Sequence, residues 1–192
     1  MKQRTSLLYA LPFILLACNN DGKDSVEKAD SINEAKQDSS VNNPPSITTD
    51  EETTTFLVKA ANNGMEEVQL GEIAGQKAVN QRIKDFSAML KQDHTSVNDQ
   101  VKSLASRRNV TLPTTVGDAE KKDIDDLNKK SGADFDRAYM KSIIKEHNDA
   151  IDLFEKASGK VNDTEVKTFI DNTLPKLRNH RDSAKAIQKE IK

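Results

Sequence analysis

From residue 50 to residue 191 apolar side chains recur at steps of three and four, the repeat of a helix that buries one face. A first stripe, Phe56, Ala60, Asn63, Glu67, Leu70, Ala74 and Ala78, predicts a helix over about 50–78, opened by Thr49 and Glu52 as a capping box. Asn80 can cap a second helix whose inner face is Ile83, Phe86, Leu90, His94, Val97, Val101 and Leu104; it should end near Asn109, because Pro113 follows. A third stripe runs Phe135, Tyr139, Ile143, His147, Ala150, Phe154 and Ala157, between Ser131-Gly132 and Ser158-Gly159. The fourth opens at Asn162, with Glu165 three residues on, and reads Val166, Phe169, Thr173, Leu177, His180, Ala184, Ile187 and Ile191. Pro175 inside it predicts a kink or local bulge.

Four amphipathic helices of roughly 27 to 30 residues, with no strand-like alternation, predict an all-α four-helix bundle over 48–192. A link between up-and-down neighbours needs only about 2 to 8 residues. The connection from Asn109 to Ser131 is far longer and carries its own helical stretch, "DAEKKDIDDLNKK". That length fits a ferritin-like bundle with a long crossover between helices two and three.

Upstream of the bundle the pattern changes twice. Lys2 and Arg4 precede an apolar run from Leu7 to Leu16, the layout of a secretory signal over 1–17 and too short to span a bilayer. It ends in Leu15-Leu16-Ala17-Cys18, which resembles a bacterial lipobox, in which the cysteine is acylated and the chain cut just before it. Cys18 is the lone cysteine, so no intramolecular disulfide can form. Residues 19–47 are rich in Asp, Ser, Asn and Lys, contain Pro44-Pro45 and hold few large apolar side chains; with Cys18 they read as a lipidated, disordered tether over 18–47. The expected setting is the cell envelope, anchored to a membrane by lipid. Asn19 lacks the aspartate associated with inner-membrane retention in enteric bacteria, which leans the expectation to the outer membrane.

Charge narrows the choice of partners. Lys and Arg number 29 against 31 Asp and Glu, a net charge of −2, and loss of Lys2 and Arg4 with the leader makes the remainder more acidic. No basic cluster interleaves with aromatics and Trp is absent, so a nucleic-acid partner is not expected. A protein partner or a second copy of the chain stays open.

The three histidines, His94, His147 and His180, fall on three different predicted helices and each lies in the apolar stripe; the first helix offers Glu67 in the same position. Counting from Asn80, Glu67 and His94 sit at nearly one height. In an up-and-down bundle His147 and His180 would differ by about 12 Å along the axis, too far for one site. A crossover that starts helix three at the Asn80 end brings all four into one layer. Three imidazoles and a carboxylate suit one divalent transition metal such as zinc, copper, iron or manganese. The other reading is a buried polar layer that fixes helix register, with Asp93, Asp136 or Tyr139 satisfying the imidazoles. Met65, Met89 and Met140 could add soft ligands but read first as core filler.

The stretches "FLVKAANNGMEEVQLGEIA", "FSAMLKQDH", "FDRAYMKSIIKEH" and "FIDNTLPKLRNH" resemble the bacterial ferritin-like domain of unknown function found in exported membrane and outer-membrane proteins, over about 52–190. The resemblance implies a ferritin-like four-helix bundle and a residue pattern that includes Glu67, Asp93, His94, Asp136, Tyr139, His147 and His180. It implies no settled activity. The Glu-x-x-His pairs of di-iron ferritins are absent, since Lys91, Ile144 and Leu177 stand three residues before the histidines, which argues against ferroxidase chemistry. No phosphate-binding glycine loop or nucleophile elbow occurs. The sequence thus describes a binding or structural module, with no catalytic residue singled out. Its rival is a metal-dependent redox or stress-response enzyme of ferritin-like type, built on Glu67, His94, His147 and His180.

Overall fold

The structure is a computed structural model, described here for residues 22–41 and 49–191. The expected leader, Cys18 and the 19–21 and 42–47 parts of the expected tether lie outside the described residues. Six helices follow one another: α1 Ser25–Val41, α2 Glu51–Lys77, α3 Gln81–Arg107, α4 Asp118–Asn128, α5 Gly132–Ser158 and α6 Thr164–Glu190. No strand occurs among the described residues, and no helix among them is long and apolar enough to cross a membrane.

The four helices of 27 residues, α2, α3, α5 and α6, have the expected stripes, and their ends follow local chemistry. Asn80 caps α3 by accepting from the Arg82 N–H at 2.9 Å. Two caps differ from expectation by one residue. Asp50, not Thr49, caps α2 by accepting from the Thr53 N–H at 2.9 Å, and Asp163, not Asn162, caps α6 through the Val166 N–H at 3.0 Å. In both, an acidic side chain one residue on takes the free amides and answers the helix dipole. α3 ends in a Schellman turn, with Asn109 left-handed at φ 54° and the Val110 N–H returning to the Ala105 carbonyl at 3.0 Å. Arg108 at this helix end is buried, and its guanidinium grips Asp163 and Glu165 at the start of α6. α6 is a continuous helix through Pro175.

α2 packs against α3 and α5, and α6 packs against α5 and α3. The Val79 and Asn80 N–H groups at the α2–α3 turn donate to the Asp136 carboxylate in the first turns of α5, at 3.1 and 2.9 Å. α5 therefore starts at the end of the molecule where α2 hands over to α3. At the opposite end Arg108 meets Asp163, so residues 109–131 travel the length of the helices, tied to α2 on the way where the Gly117 N–H donates to Asn62 Oδ1 at 2.8 Å.

The core is in two apolar clusters. One gathers Phe56, Val101, Phe154 and Phe169, with Phe56 and Phe154 edge to face at 5.0 Å between centroids; the other gathers Leu70, Ile83, Phe135, Met140 and Ala184. Along every long helix the break between them falls at the same height, at Glu67, His94, His147 and His180.

One expectation fails in the described part of the tether. Residues 25–41 are helix α1, where a disordered segment was expected. Its amphipathic signal is weak because it is held mainly by polar bonds to the backbone of the long connection, with Ala29 its buried apolar contact. Asn33 donates to the Thr111 carbonyl at 2.8 Å and accepts from the Thr111 N–H at 2.7 Å; Ser25 Oγ accepts from Thr114 and Asp24 from Asp118. A connection that forms no ladder of its own must find partners for its amides, and α1 supplies them.

Candidate functional site

Each member of the middle layer is placed by its helix stripe. Glu67 is 2% exposed, His94 4%, His147 0% and His180 2%, so all four side chains are out of solvent. The three imidazoles form a near-equilateral triangle, with ring centroids 5.3, 5.4 and 5.5 Å apart. One ring nitrogen from each histidine lies within 4.8 Å of the other two.

Two of the ring nitrogens are pinned. His147 Nδ1 donates to the Ile143 carbonyl one turn back, at 2.9 Å, and His180 Nε2 donates to Asp93 Oδ2 at 2.9 Å. A neutral imidazole that donates from one nitrogen carries a lone pair on the other. His147 Nε2 and His180 Nδ1 are those others, and both are buried without a hydrogen-bond partner, as is His94 Nε2. Glu67 lies against the triangle: Oε1 is 3.0 Å from His147 Nδ1, and Oε2 is 4.0 Å from His94 Nε2. Because the His147 proton points at the carbonyl, Glu67 is in electrostatic contact, and both its oxygens lack a hydrogen bond.

Burial and charge compete at every member. Burial alone would raise the Glu67 carboxyl, but His147 first and then His94 hold it below the ordinary glutamate value. Burial lowers His94 to about 4 in spite of Glu67, and lowers His180, with the His147 charge acting in the same sense. For His147 the sign reverses, since Glu67 outweighs burial and raises it. The layer thus favours an ionised Glu67 among imidazoles of which His94 and His180 are neutral at pH 7.

Of the outer residues expected around the site, Asp93 touches it through His180, Tyr139 feels only the field of Glu67, and Asp136 stands apart. Asp93 orients His180. Tyr139 is fully buried, its hydroxyl has no partner, and burial followed by the Glu67 charge pushes its phenol well above the usual value. Asp136 is occupied at the α2–α3 turn, eleven residues before His147 and so about 16 Å away along α5. Of the methionines, Met140 packs in the apolar cluster with Leu70 and Phe135, and Met89 is 37% exposed.

A second group escaped the sequence reading. Glu66, Asp123 and Glu146 bring carboxylate oxygens within 4.8 Å of one another beside the layer. Glu66 is 2% exposed, and burial, then Glu146 and Glu67, push it up to about 9; burial also raises Glu146, against the pull of Lys145. The available signal was an acidic residue next to a stripe member on two facing helices.

The family model described as "Domain of unknown function (DUF4142)" matches residues 37–187. The chain belongs to this family. The match spans every member of the histidine layer and of the second acidic group. No curated protein matches the sequence. Two solved structures are similar in fold. A DUF305 fragment from Deinococcus radiodurans aligns with a TM-score of 0.67 at 8% identity, over 74% of this chain and 99% of that one. A conserved hypothetical protein from Mycobacterium tuberculosis aligns with a TM-score of 0.57 at 15% identity, over 71% and 96%. At such identities the likeness concerns the helical fold alone.

Proposed function

We propose that this DUF4142 member is a lipid-anchored cell-envelope protein whose ferritin-like four-helix bundle, with a long crossover between α3 and α5, holds one divalent transition metal ion in its core. His94, His147 and His180 are the ligands, with Glu67 against His147 and His94 as the charge-compensating carboxylate. The observation that carries this reading is that one ring nitrogen from each of His94, His147 and His180 lies within 4.8 Å of the other two, in a layer where His94 Nε2, His147 Nε2 and His180 Nδ1 are buried with no hydrogen-bond partner. Leaving a buried polar atom unpaired costs about 1–3 kcal/mol. A layer built only to fix register would be expected to pair these atoms with one another. Pinning of the opposite nitrogens at Ile143 and Asp93 supports the same reading, because metal-binding imidazoles are usually oriented through their second nitrogen.

The donor set suits zinc or copper, with imidazole nitrogen dominant. Since every ligand is at most 4% exposed, a substrate would have to open the bundle to reach the ion, which favours a binding or structural role over catalysis. The test is elemental analysis of untagged protein purified without added metal, beside the His94→Ala, His147→Ala double variant. One metal per chain, absent from the double variant, together with a chelator-induced fall in melting temperature, is the expected result. A metal-free wild type whose melting chelators leave unchanged would remove the proposal.

A further inference from the structure

The acidic group beside the histidine layer has the features of a second, separate cation site. Glu66 comes from α2, Asp123 from α4 and Glu146 from α5, and their carboxylate oxygens lie within 4.8 Å of one another. Glu120, one turn before Asp123 on α4, adds its negative field to Glu66. Lys145 reaches Glu146 Oε1 at 2.8 Å and also serves Asp149 at 3.2 Å, its side chain 61% exposed. It answers Glu146 from the outside and leaves Glu66 unpaired. Glu66 is the telling residue: it is only 2% exposed, yet its Oε1 has no hydrogen-bond partner. A buried carboxylate in contact with two others needs a positive charge or a proton donor between them.

The placement is built into the fold. α4 lies on the long connection and is held to the core by Ile124 and Leu127, which fixes Asp123, exposed, over the seam between α2 and α5. Three carboxylates from three elements, one deeply buried and one open to water, form a half-shell of hard oxygen ligands with room for solvent to complete it.

We propose that Glu66, Glu146 and Asp123 bind one hard divalent cation of the calcium, magnesium or manganese class, clamping α4 onto α2 and α5. The donor set distinguishes this site from the histidine layer, since all-oxygen ligands select against zinc and copper relative to imidazole. The proposal does not depend on the histidine site being metallated.

Mn2+ serves as the probe. Binding to the full-length chain is followed by loss of the free-ion electron paramagnetic resonance signal, in the wild type and in the His94→Ala, His147→Ala variant, with Ca2+ as competitor. One Mn2+ should bind in both proteins and be displaced by Ca2+. Glu66→Gln and Asp123→Asn should each weaken binding by about tenfold or more. Asp123 is exposed, so D123N is expected to fold as the wild type does and decides the matter even if E66Q is unstable. Absence of Mn2+ binding in every protein, or an affinity that D123N leaves unchanged, overturns the proposal. Binding present in the wild type but lost in the double histidine variant also overturns it, because the ion would then sit in the histidine layer.

Discussion

Glu67 sets the protonation of the layer around it. Its charge is what raises His147, whereas burial by itself lowers an imidazole. Glu67→Gln keeps the shape and removes the charge, so in metal-free protein the His147 imidazole should titrate below the ordinary histidine value instead of above it. The sign carries over to stability. A histidine with a raised folded pKa contributes stability that is present below its unfolded value and lost as pH rises through the folded one; in E67Q that contribution vanishes. His94, lowered to about 4 from 6.5, acts oppositely, because the unfolded chain takes up its proton first as pH falls through that window. A nitrogen-15 NMR titration of the imidazoles checks this: an unmoved or higher His147 value in E67Q would contradict the assignment. At this scale the layer was legible because each histidine and Glu67 stood in an apolar stripe. Asp136 was misplaced because membership of a pattern does not give height along a helix. Glu66 and Glu146 were missed because an acidic residue beside a stripe is ordinarily on the solvent side.

The helices meet where the sequence allows backbones to approach. At Gly64 of α2 an added Cβ would stand 1.8 Å from Oδ1 and 2.8 Å from Cγ of Asn98 on α3, and at Gly71 it would stand 3.1 Å from the Ser87 carbonyl. Seven residues apart, these two glycines lie on the α2 face that receives α3. Gly64→Ala gains about 1 kcal/mol of helix propensity but must displace a buried Asn98, at a cost of about 1–3 kcal/mol. It should therefore lower stability or leave it flat. In an Asn98→Ala background the clash is gone and the same change should stabilise. Urea unfolding of the four proteins of this cycle gives the coupling, and additivity of the two changes would refute the close contact. Helix ends were readable to within a residue or two. The joint between Arg108 and the Asp163 cap was not, because its partners are 55 residues apart and only packing brings them together.

For the whole molecule, the long connection is the organising feature. It lets α5 start beside the α2–α3 turn, sets four polar residues at one height and carries α4 over the seam where Asp123 meets Glu66. α1 then covers the first part of that connection with side chain to backbone bonds. The anchoring proposed through Cys18 belongs to this scale too, since it would hold the bundle near a membrane by way of the segment preceding α1. Cys18→Ser should abolish incorporation of labelled fatty acid, and retained labelling would exclude that attachment. The sequence by itself determined the helices, their buried faces and the candidate layer, because a 3.6-residue period and the choice of capping residue are local properties of the chain. Which bonds satisfy the connection, that α1 is a helix, that Asp136 serves a turn, and that three carboxylates from three elements converge, only the tertiary structure decided. Each of these depends on distances between residues far apart in sequence, which a local period does not contain.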